Sequence, residues 1–512
     1  MKKYFFLAAA VILVCFAVCC VSWAEGAYLY PAEAEEDVWG YINEKGEWMI
    51  EPQYEEANDF CGDYAIVRKP AQEEESNTGL YEIINTKGET IVENIRGIDN
   101  YANENPYIGG NCYWMYGYEK YGDRDDEFYA TGCFDWMTGK RTELNPETDF
   151  EFQHEVSIGG RIVPVITSDY TYGFFDLKTE RLTIAPQFSL SDIWDIYLSW
   201  DDYSVIEVYG DDSEYNLYYY VSAEGTVIPL PETLILPGDE GGSIPAYVYF
   251  AGVQGIVCLT KADQYILLDF EGHPVTGILQ DYLGCPNGNI MISKDGELYQ
   301  CIKPDGSILF EGKYREIEDG WTEGYLAVQT TDGQNMIIRE DGTCAAHLPV
   351  RCKATCVGKE ITAYSEWDDE ETERQFLFDR RNETIKEINT DGWIYSITEN
   401  GTVLYQSDET ELYGFMDADG HCLQEAIYEV YEDSHEGFMD FSDYAFGMIR
   451  VIKDEKDGYV NDKGELVIPC QYKYAGQFAG ELALVETENC DYQYINHDGE
   501  VVFVFCQESD EE

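Results

Sequence analysis

Four aromatic side chains that could bind a ligand lie within one short insert rich in glycine and tyrosine, residues 109–122. They are Tyr113, Trp114, Tyr116 and Tyr118. Exposed side by side, these rings would form a patch suited to contacting a glycan or a peptide. In a buried strand, Trp114, Tyr116 and Tyr118 would instead share one face and Tyr113 would lie on the other. The insert is therefore a candidate binding site, with burial in a strand as the alternative.

Catalytic residues are not indicated by any motif. The patterns GxSxG, GxxxxGK[ST] and HExxH, which mark serine nucleophiles, phosphate loops and zinc helices, are absent from the sequence. Acidic residues number 100, too many for spacing alone to select an acid–base pair. Two carboxylates roughly 5–10 Å apart would suffice for glycoside hydrolysis. The sequence predicts no enzyme, and an envelope hydrolase acting on glycan or peptide is the alternative.

Metal ligands are equally sparse. Asp417–Gly420 resembles part of a calcium loop, but Phe415 stands where the preceding ligand belongs, and the segment aligns with the hairpin turns described below. The acid pairs at 201–202 and 211–212 could hold Ca²⁺ with loop carbonyls, or could be solvated loop charge. The histidines that follow or lie within turns are His273, His421 and His497. We predict no cofactor and no metal, with Ca²⁺ as the open alternative.

The elements that must position these residues come from a repeated unit. Residues 39–67 and 457–485 align without a gap, and about half of the positions are identical. The clearest signal is a turn in which Asn or Asp caps the backbone and Gly takes the left-handed conformation. Twelve turns of this kind or a looser kind span Asn43–Gly46, Asn85–Gly88, Asp135–Gly139, Asp176–Glu180, Ser222–Gly225, Asp269–Gly272, Lys303–Gly306, Arg339–Gly342, Asp379–Asn382, Asp417–Gly420, Asn461–Gly464 and Asn496–Gly499.

The residues beside the turns alternate apolar and polar with a period of two, which predicts β-strands. In the Asp379–Asn382 turn, we expect Asn382 to take the left-handed conformation in place of glycine. After the second strand of a unit comes an Ile-x-Pro-x-Tyr tail or a close variant, and we expect its proline to end the strand. An aromatic-x-Gly loop then leads into another alternating strand. Each unit is predicted to contain three to four antiparallel strands.

This combination of motifs resembles the WG repeat family of bacterial β-repeat proteins. The shared features are the Trp-Gly-Tyr start, the Asn-x-Lys-Gly turn, the Ile-x-Pro-x-Tyr tail and the Phe-x-Gly-x-x-Ala-x-Val return. The residues that carry them are Trp39, Gly40, Gly46, Pro52, Tyr54, Gly88, Gly173, Pro186, Gly414, Gly420, Gly458, Gly464, Pro469, Tyr472 and Gly499. The resemblance implies a binding or scaffold module at the cell envelope, without catalytic residues.

Twelve units exceed the roughly eight blades of one β-propeller, so we predict an all-β chain with two propeller-like domains. The Pro- and Gly-rich stretch 228–245 reads as the connector. The predicted domains are 25–235 and 236–505, followed by an acidic tail, 506–512. An open superhelical β-array is the alternative.

Residues 1–24 combine a lysine pair, a long apolar run and a small residue at Ala24. They predict a signal peptide cleaved after Ala24, with an uncleaved N-terminal membrane anchor as the alternative. Beyond them, thirteen cysteines are scattered without metal-binding spacing, which suggests mostly reduced thiols in a reducing or anaerobic setting.

The formal net charge of −68 argues against nucleic acid and anionic lipid as partners. It fits a soluble surface, or a cationic or metal-dependent partner. The sequence as a whole predicts an exported binding or scaffold protein at the cell surface that contacts protein or glycan. A purely structural surface array is a further alternative.

Overall fold

The computed structural model describes residues 28–70, 80–98, 113–118, 129–152, 162–169, 171–189, 265–269, 273–284, 289–318, 320–366, 374–389, 392–398, 401–429, 444–461 and 463–505, and between them the strands of 193–259. Every regular element in these residues is a β-strand, and neighbouring strands pair antiparallel, so the predicted all-β class is confirmed. Within the described residues, no helix is long and apolar enough to cross a membrane.

Strands that follow one another in the chain form small sheets. The first sheets contain β1 (Tyr30–Glu35), β2 (Val38–Ile42) and β3 (Trp48–Tyr54); β4 (Glu56–Ala57), β5 (Tyr64–Arg68), β6 (Tyr81–Asn85) and β7 (Thr90–Ile95); β8 (Gly97–Ile98), β9 (Tyr113–Gly117), β10 (Gly132–Asp135) and β11 (Lys140–Glu143); and β12 (Glu151–Phe152), β13 (Ile162–Ile166), β14 (Thr171–Asp176) and β15 (Arg181–Ser189).

The middle of the chain continues this pattern and includes one larger sheet. Its sheets contain β16 (Ile193–Leu198), β17 (Tyr203–Tyr209), β18 (Asn216–Ser222) and β19 (Val227–Pro229); β20 (Ile235–Pro237) and β21 (Ser243–Pro245); β22 (Tyr247–Phe250), β23 (Ile256–Leu259) and β24 (Tyr265–Leu268); and β25 (Asp281–Gly284), β26 (Ile290–Ser293), β27 (Tyr299–Ile302), β28 (Ile308–Ile317), β29 (Tyr325–Thr330), β30 (Asn335–Arg339) and β31 (Cys344–Leu348).

The last part of the chain forms four-stranded sheets. They contain β32 (Cys352–Val357), β33 (Ile361–Glu366), β34 (Gln375–Asp379) and β35 (Thr384–Ile388); β36 (Gly392–Ile397), β37 (Val403–Ser407), β38 (Tyr413–Met416) and β39 (Cys422–Tyr428); β40 (Tyr444–Ala445), β41 (Met448–Lys453), β42 (Lys456–Asn461) and β43 (Leu466–Tyr472); and β44 (Tyr474–Ala479), β45 (Leu482–Glu486), β46 (Tyr492–Asn496) and β47 (Val501–Val504).

The chain divides into two compact units, Asn58–Lys313 and a second that joins Ala24–Ala57 with Tyr314–Glu512. In the second unit, apolar clusters lie between successive sheets. One holds Leu377 and Ile394, the next Phe415 and Val460, and the next Tyr459 and Phe478. The sequence predicts the boundary between two consecutive domains near residue 235, whereas these units divide after Ala57 and after Lys313. The predicted domains stay a prediction, as do the number and closure of any propeller rings.

The turns follow the predicted chemistry. In the first one, the Asn43 side-chain oxygen accepts the backbone N–H groups of Lys45 (2.9 Å) and Glu47 (3.0 Å). The Asn43 amide donates in turn to the Glu47 carboxylate at 3.0 Å. Positive φ angles confirm the turn glycines at Gly46, Gly88, Gly139, Gly306, Gly342, Gly420, Gly464 and Gly499. Gly225 and Gly272 lie outside the described residues.

Two details of the predicted units are wrong. The left-handed residue after the turn at Asp379 is Glu383 (φ 53°), because Asn382 uses its own N–H and side-chain amide to bind the Asp379 carboxylate. The second concerns the prolines of the tails. Pro52, Pro186 and Pro469 do not end their strands but lie within β3, β15 and β43. These are the outermost strands of their sheets, where a missing N–H need not break a ladder bond.

The proline-containing strand bulges beside the inner strand. Tyr459 pairs with Ile468 and Asp457 with Tyr472, so two steps along β42 correspond to four along β43. The bulge brings the β43 backbone against Gly458, where a Cβ would lie 2.6 Å from the nitrogen of Cys470. Gly458 stands at the position of the glycine in the Trp-Gly motif. The bulge in the neighbouring strand therefore explains why this position carries no side chain.

Buried polar side chains link three of the sheets to the sheet that follows. Glu318 accepts the N–H of Ala354, Gln375 that of Ile394, and Asp457 that of Ala475, each at 2.7 Å. Gln375 and Asp457 lie in the third strand of their sheets and Glu318 follows β28, but each donor lies on the first strand of the following sheet. These carboxylates and this amide hold backbone donors that burial would otherwise leave unsatisfied.

Candidate binding site

Residues 113–117 of the aromatic insert form β9, and the described side chains alternate as the buried alternative predicts. Met115 packs in the core cluster that contains Phe152 and Val163, on one face of the sheet. Trp114 and Tyr116 lie on the other face with no exposed surface, in the cluster that contains Ile83. They therefore do not form the exposed patch considered above, because the neighbouring sheet covers them. The side chain of Tyr113 lies outside the description.

Tyr116 belongs to a row that crosses three strands. Gly132 on β10 pairs with Tyr116 on β9 and with Glu143 on β11. The ring of Tyr116 lies over Gly132 so closely that a Cβ there would be 2.1 Å from its Cε2 atom. Because Gly132 has no side chain, the Tyr116 side chain can reach over β10 to β11. Its hydroxyl donates there to the Glu143 carboxylate at 3.2 Å.

Tyr118 and Arg141 complete a polar group around the same carboxylate, which we call the Glu143 cluster (Tyr116, Tyr118, Arg141 and Glu143). The Tyr118 hydroxyl donates to Glu143, and Arg141 donates to Tyr118 at 2.7 Å. Nε of Arg141 also donates to Glu143 at 2.9 Å. The Arg141 and Glu143 side chains are 42% and 38% exposed, so this end of the row reaches solvent.

The hydrogen bonds fix the protonation states of the cluster. Burial favours the neutral form of Glu143, but the donors Tyr118 and Arg141 outweigh it and hold the pKa below its ordinary value of 4.5. Burial, together with the bond to Glu143, raises the pKa of Tyr118 to about 12, and burial raises that of Tyr116 further. None of these groups changes charge near neutral pH, so the cluster is suited to hydrogen bonding rather than to acid–base catalysis.

The remaining sequence candidates do not converge. Asp417 caps an ordinary turn, since its carboxylate accepts the N–H groups of Asp419 and His421, both at 2.8 Å. His421 bonds the same carboxylate through Nδ1 at 2.9 Å, and His497 bonds the carbonyl of Gly480 at 3.1 Å. Across the described part of the chain, no three His, Cys, Asp or Glu side chains gather as metal ligands would. The acid pairs at 201–202 and 211–212 lie outside it.

Sequence reasoning missed Gly132, Arg141 and Glu143. A signal was present, because the predicted turn Asp135–Gly139 fixes the pairing of the strands on either side of it. Counting back from that turn places Gly132 opposite Glu143. β9 and β10, in contrast, are separated by the fourteen residues 118–131, too many for a four-residue turn to set their pairing.

Comparison with known families supports the repeat assignment. The family described as WG containing repeat matches residues 39–69 and 458–489, which confirms the predicted WG-type repeats at these two places. Each match covers the last two strands of one sheet and the first two of the next, β2–β5 and β42–β45. At 458–489 both sheets belong to one unit, and the repeated sequence there spans the step from one sheet to the next. No curated protein matches the chain significantly.

Several solved structures are similar to this chain at low identity. A crystal structure of the eukaryotic initiation factor has 10% identity and a TM-score of 0.29, over 78% of this chain and 95% of that one. BamB from Moraxella catarrhalis has 12% identity and a TM-score of 0.24, over 72% and 96%. The Myceliophteria thermophila Cps50 (Swd1) beta-propeller domain has 12% identity and a TM-score of 0.22, over 51% and 97%. Scores this low do not establish a common overall arrangement.

Proposed function

We propose that this chain is an exported, non-catalytic binding or scaffold protein that contacts protein or glycan at the bacterial cell envelope. The observation that carries the proposal is the Glu143 cluster. It places the half-buried Tyr118 phenol, a guanidinium and a carboxylate side by side at the surface, held from below by the buried Tyr116. Arg141 and Glu143 can offer a donor and an acceptor, and Tyr118 some aromatic surface, to a hydroxyl-rich or peptide ligand.

The fold supports a binding role in a second way. The buried carboxylates Glu318 and Asp457 are engaged by backbone donors of the next sheet, so they serve the stacking of the repeats. Stacked repeats present loops and sheet margins of many units, which suits a distributed contact surface. The net charge of −68 favours a partner that is neutral or cationic.

A binding experiment on the full chain tests the proposal. The immobilised protein is exposed to envelope extract and to a glycan array, with Ca²⁺ or with a chelator. The variants Arg141→Met and Tyr118→Phe should lose the retained ligand. Arg374→Met is the matched control, because Arg374 forms an exposed ion pair with Glu387 at 2.7 Å on another sheet. Retention that Arg141→Met leaves unchanged would contradict the proposed site.

The same experiment bears on the alternatives. Hydrolysis of a retained glycan or peptide would favour the envelope enzyme, and assembly of the purified chain without any ligand would favour the structural array. Export is tested separately by fractionating cells and sequencing the N-terminus of the exported protein. Cleavage after Ala24 predicts a mature chain that begins at Glu25.

A further inference from the structure

A small cavity lies in the sheet that contains β28–β31, close to the start of β32. It has about 210 Å³ of empty space, part of which is open to solvent. Three of its lining residues, Ala327, Leu348 and Cys352, are buried members of one apolar cluster and form an apolar wall. The enclosed part has room for roughly one water-sized group. It can therefore admit a methyl group but not a complete sugar ring.

A row of polar side chains crosses the sheet at this cavity. Glu316 on β28 pairs with Gln329 on β29, and Gln329 pairs with Asn335 on β30. All three line the cavity and are half-buried. The turn between β29 and β30 fixes the register, because the N–H of Thr330 donates to the carbonyl of Gln334 at 2.9 Å directly beside the pair.

The amide pair Gln329 and Asn335 keeps one acceptor and one donor for a ligand. Nε2 of Gln329 donates to Oδ1 of Asn335 at 3.0 Å. Within the part of the chain that the structure describes, Oε1 of Gln329 and Nδ2 of Asn335 make no hydrogen bond. A ligand that carries both an N–H and a carbonyl group can bond to the two atoms together.

The charged groups at the cavity already have partners. Nε of Arg351 lies 2.6 Å from Oε2 of Glu316, and both side chains of this ion pair reach solvent at the rim. The buried carboxylate of Glu318 accepts the backbone N–H groups of Ala327 and Ala354. A neutral ligand whose hydroxyl groups meet the rim therefore fits the cavity better than a charged one.

We propose that this cavity binds the acetamido group of an N-acetylated amino sugar. In this arrangement the methyl group lies against the apolar wall, the amide N–H donates to Oε1 of Gln329, and the carbonyl oxygen accepts from Nδ2 of Asn335. The sugar hydroxyls stay at the rim, beside the ion pair. An acetylated lysine carries the same group without the hydroxyls, so the polar rim favours the sugar. The inference rests on the proposed function and deepens it, since it names one class of glycan and a site separate from the Glu143 cluster.

The test uses the full chain and the methyl β-glycosides of N-acetylglucosamine, glucosamine and glucose. The last two keep the sugar ring but lack the acetyl group, and the glucosamine derivative also measures attraction of positive charge to the acidic chain. Saturation-transfer NMR detects contact with the protein, and titration gives each Kd. We expect the N-acetylated glycoside to bind at least about tenfold more tightly than the other two, because it alone fills the apolar wall and bonds to both amides.

Asn335→Asp is the decisive variant. It keeps the size of the side chain and the acceptor for Gln329, but it replaces the free donor by an acceptor, so it should abolish the preference. Gln406→Glu is the matched control, because it makes the same change of amide to carboxylate at a half-buried position beside another hairpin turn. Gln406 bonds there to the carbonyl of Glu411 at 3.0 Å, and the variant should keep the preference. Unfolding midpoints of both variants show that they fold.

Equal binding of the three glycosides, no saturation transfer to any of them, or an unchanged preference in Asn335→Asp would overturn the proposal. Tighter binding of a peptide that contains Nε-acetyllysine would overturn it in favour of an acetylated protein as the ligand. The envelope and glycan-array experiment with Arg141→Met tests the Glu143 cluster independently. A ligand retained through that cluster, with no preference among the glycosides, would contradict this inference and leave the proposed function standing.

Discussion

Gly40 and Pro52 lie on adjacent strands with no room for a side chain between them. A Cβ on Gly40 would stand 2.8 Å from the backbone nitrogen of Pro52 and 2.5 Å from the carbonyl oxygen of Ile50. The same relationship recurs at Gly173 with Pro186, and at Gly458 the equivalent nitrogen belongs to Cys470, the residue after Pro469. The glycine and the proline of the repeat are thus two parts of one bulged strand pair.

Adding a methyl group at Gly458 should be costly for this reason. We expect Gly458→Ala to lower the free energy of unfolding by about 1–3 kcal/mol, because the atoms it would meet are backbone atoms that cannot rotate away. Gly277→Ala is the control, since a Cβ at Gly277 has nothing within 4 Å. It should change stability by less than about 0.5 kcal/mol. Denaturant unfolding of both variants measures the difference, and equal midpoints would refute the bulge argument.

The parts of the fold that depend on local chemistry could be predicted from sequence. Turn glycines and alternating strands carry their signal within a few residues, and the structure confirms them at Gly46 and Gly464. The bulge could not be predicted in this way. Proline indicates only that a backbone donor is missing, and whether the strand ends or continues at a sheet edge depends on which strand lies beyond it.

The cap of the first turn offers a local test. Asn43→Ala removes an oxygen that accepts two backbone N–H groups and an amide that donates to Glu47. We expect a loss of about 1–2 kcal/mol in the free energy of unfolding. Asn43→Asp keeps the acceptor but loses the donor. Its free energy of unfolding should therefore lie between those of the unaltered chain and of Asn43→Ala. An Asp variant less stable than the Ala variant would show that repulsion from Glu47 outweighs the cap.

The Glu143 cluster makes a prediction about pH. The pKa of Glu143 is lowered in the folded chain, so its contribution is present above the unfolded pKa and is lost as pH falls through the folded pKa. Tyr118→Phe removes one donor and should raise that pKa toward its ordinary value. The variant should therefore be less stable than the unaltered chain at neutral pH, and the gap should close in acid.

Unfolding midpoints between pH 7 and pH 3 measure this gap. Tyr474→Phe serves as the control, because Tyr474 is 40% exposed and its ring lies beside Arg450 rather than a carboxylate. A gap that stays constant across the range would mean that Tyr118 contributes packing alone. Gly132→Ala should act like a stronger form of Tyr118→Phe, because it displaces the Tyr116 ring as well.

Half of this cluster could be predicted from sequence. Alternation along 113–118 places Tyr116 and Tyr118 on one face, as the structure confirms for the buried Tyr116. Which charged residues meet them depends on the register of β9 against β10, and the fourteen residues between these strands are too many for a short turn to set it. A one-residue shift would have sent both tyrosines away from Glu143.

Thiol reactivity should follow burial. Cys344, Cys422 and Cys490 are exposed free cysteines, whereas burial raises the pKa of Cys352 and of Cys356 to about 12. Alkylation of the native chain at pH 8 should label Cys422 and Cys490 rapidly, Cys344 more slowly because burial raises its pKa, and the buried pair only after denaturation. Peptide mapping by mass spectrometry reads each site. Rapid labelling of Cys356 in the native chain would contradict its place in the core.

Alkaline pH should weaken the contact between the first and last sheets, which the Tyr30 ring and hydroxyl help to form. Its hydroxyl accepts the N–H of Glu481 at 3.0 Å, and its ring packs on Tyr494 at 5.5 Å. Burial raises the pKa of Tyr30 from 10.0 to about 12, although the bond from Glu481 opposes the rise. The neutral phenol is therefore favoured in the folded chain, and its contribution is complete below pH 10 and lost as pH rises through 12.

Tyr30→Phe isolates this effect. The variant leaves the N–H of Glu481 without that acceptor, so it should be less stable by about 1–3 kcal/mol at neutral pH. The difference from the unaltered chain should then shrink between pH 10 and 12, because only the unaltered chain loses a favoured neutral phenol there. Unfolding midpoints at each pH give the difference, with Tyr474→Phe again as the control. If the difference instead grew with pH, the Tyr30 hydroxyl would be ionised in the folded chain, and the inferred burial of this junction would be wrong.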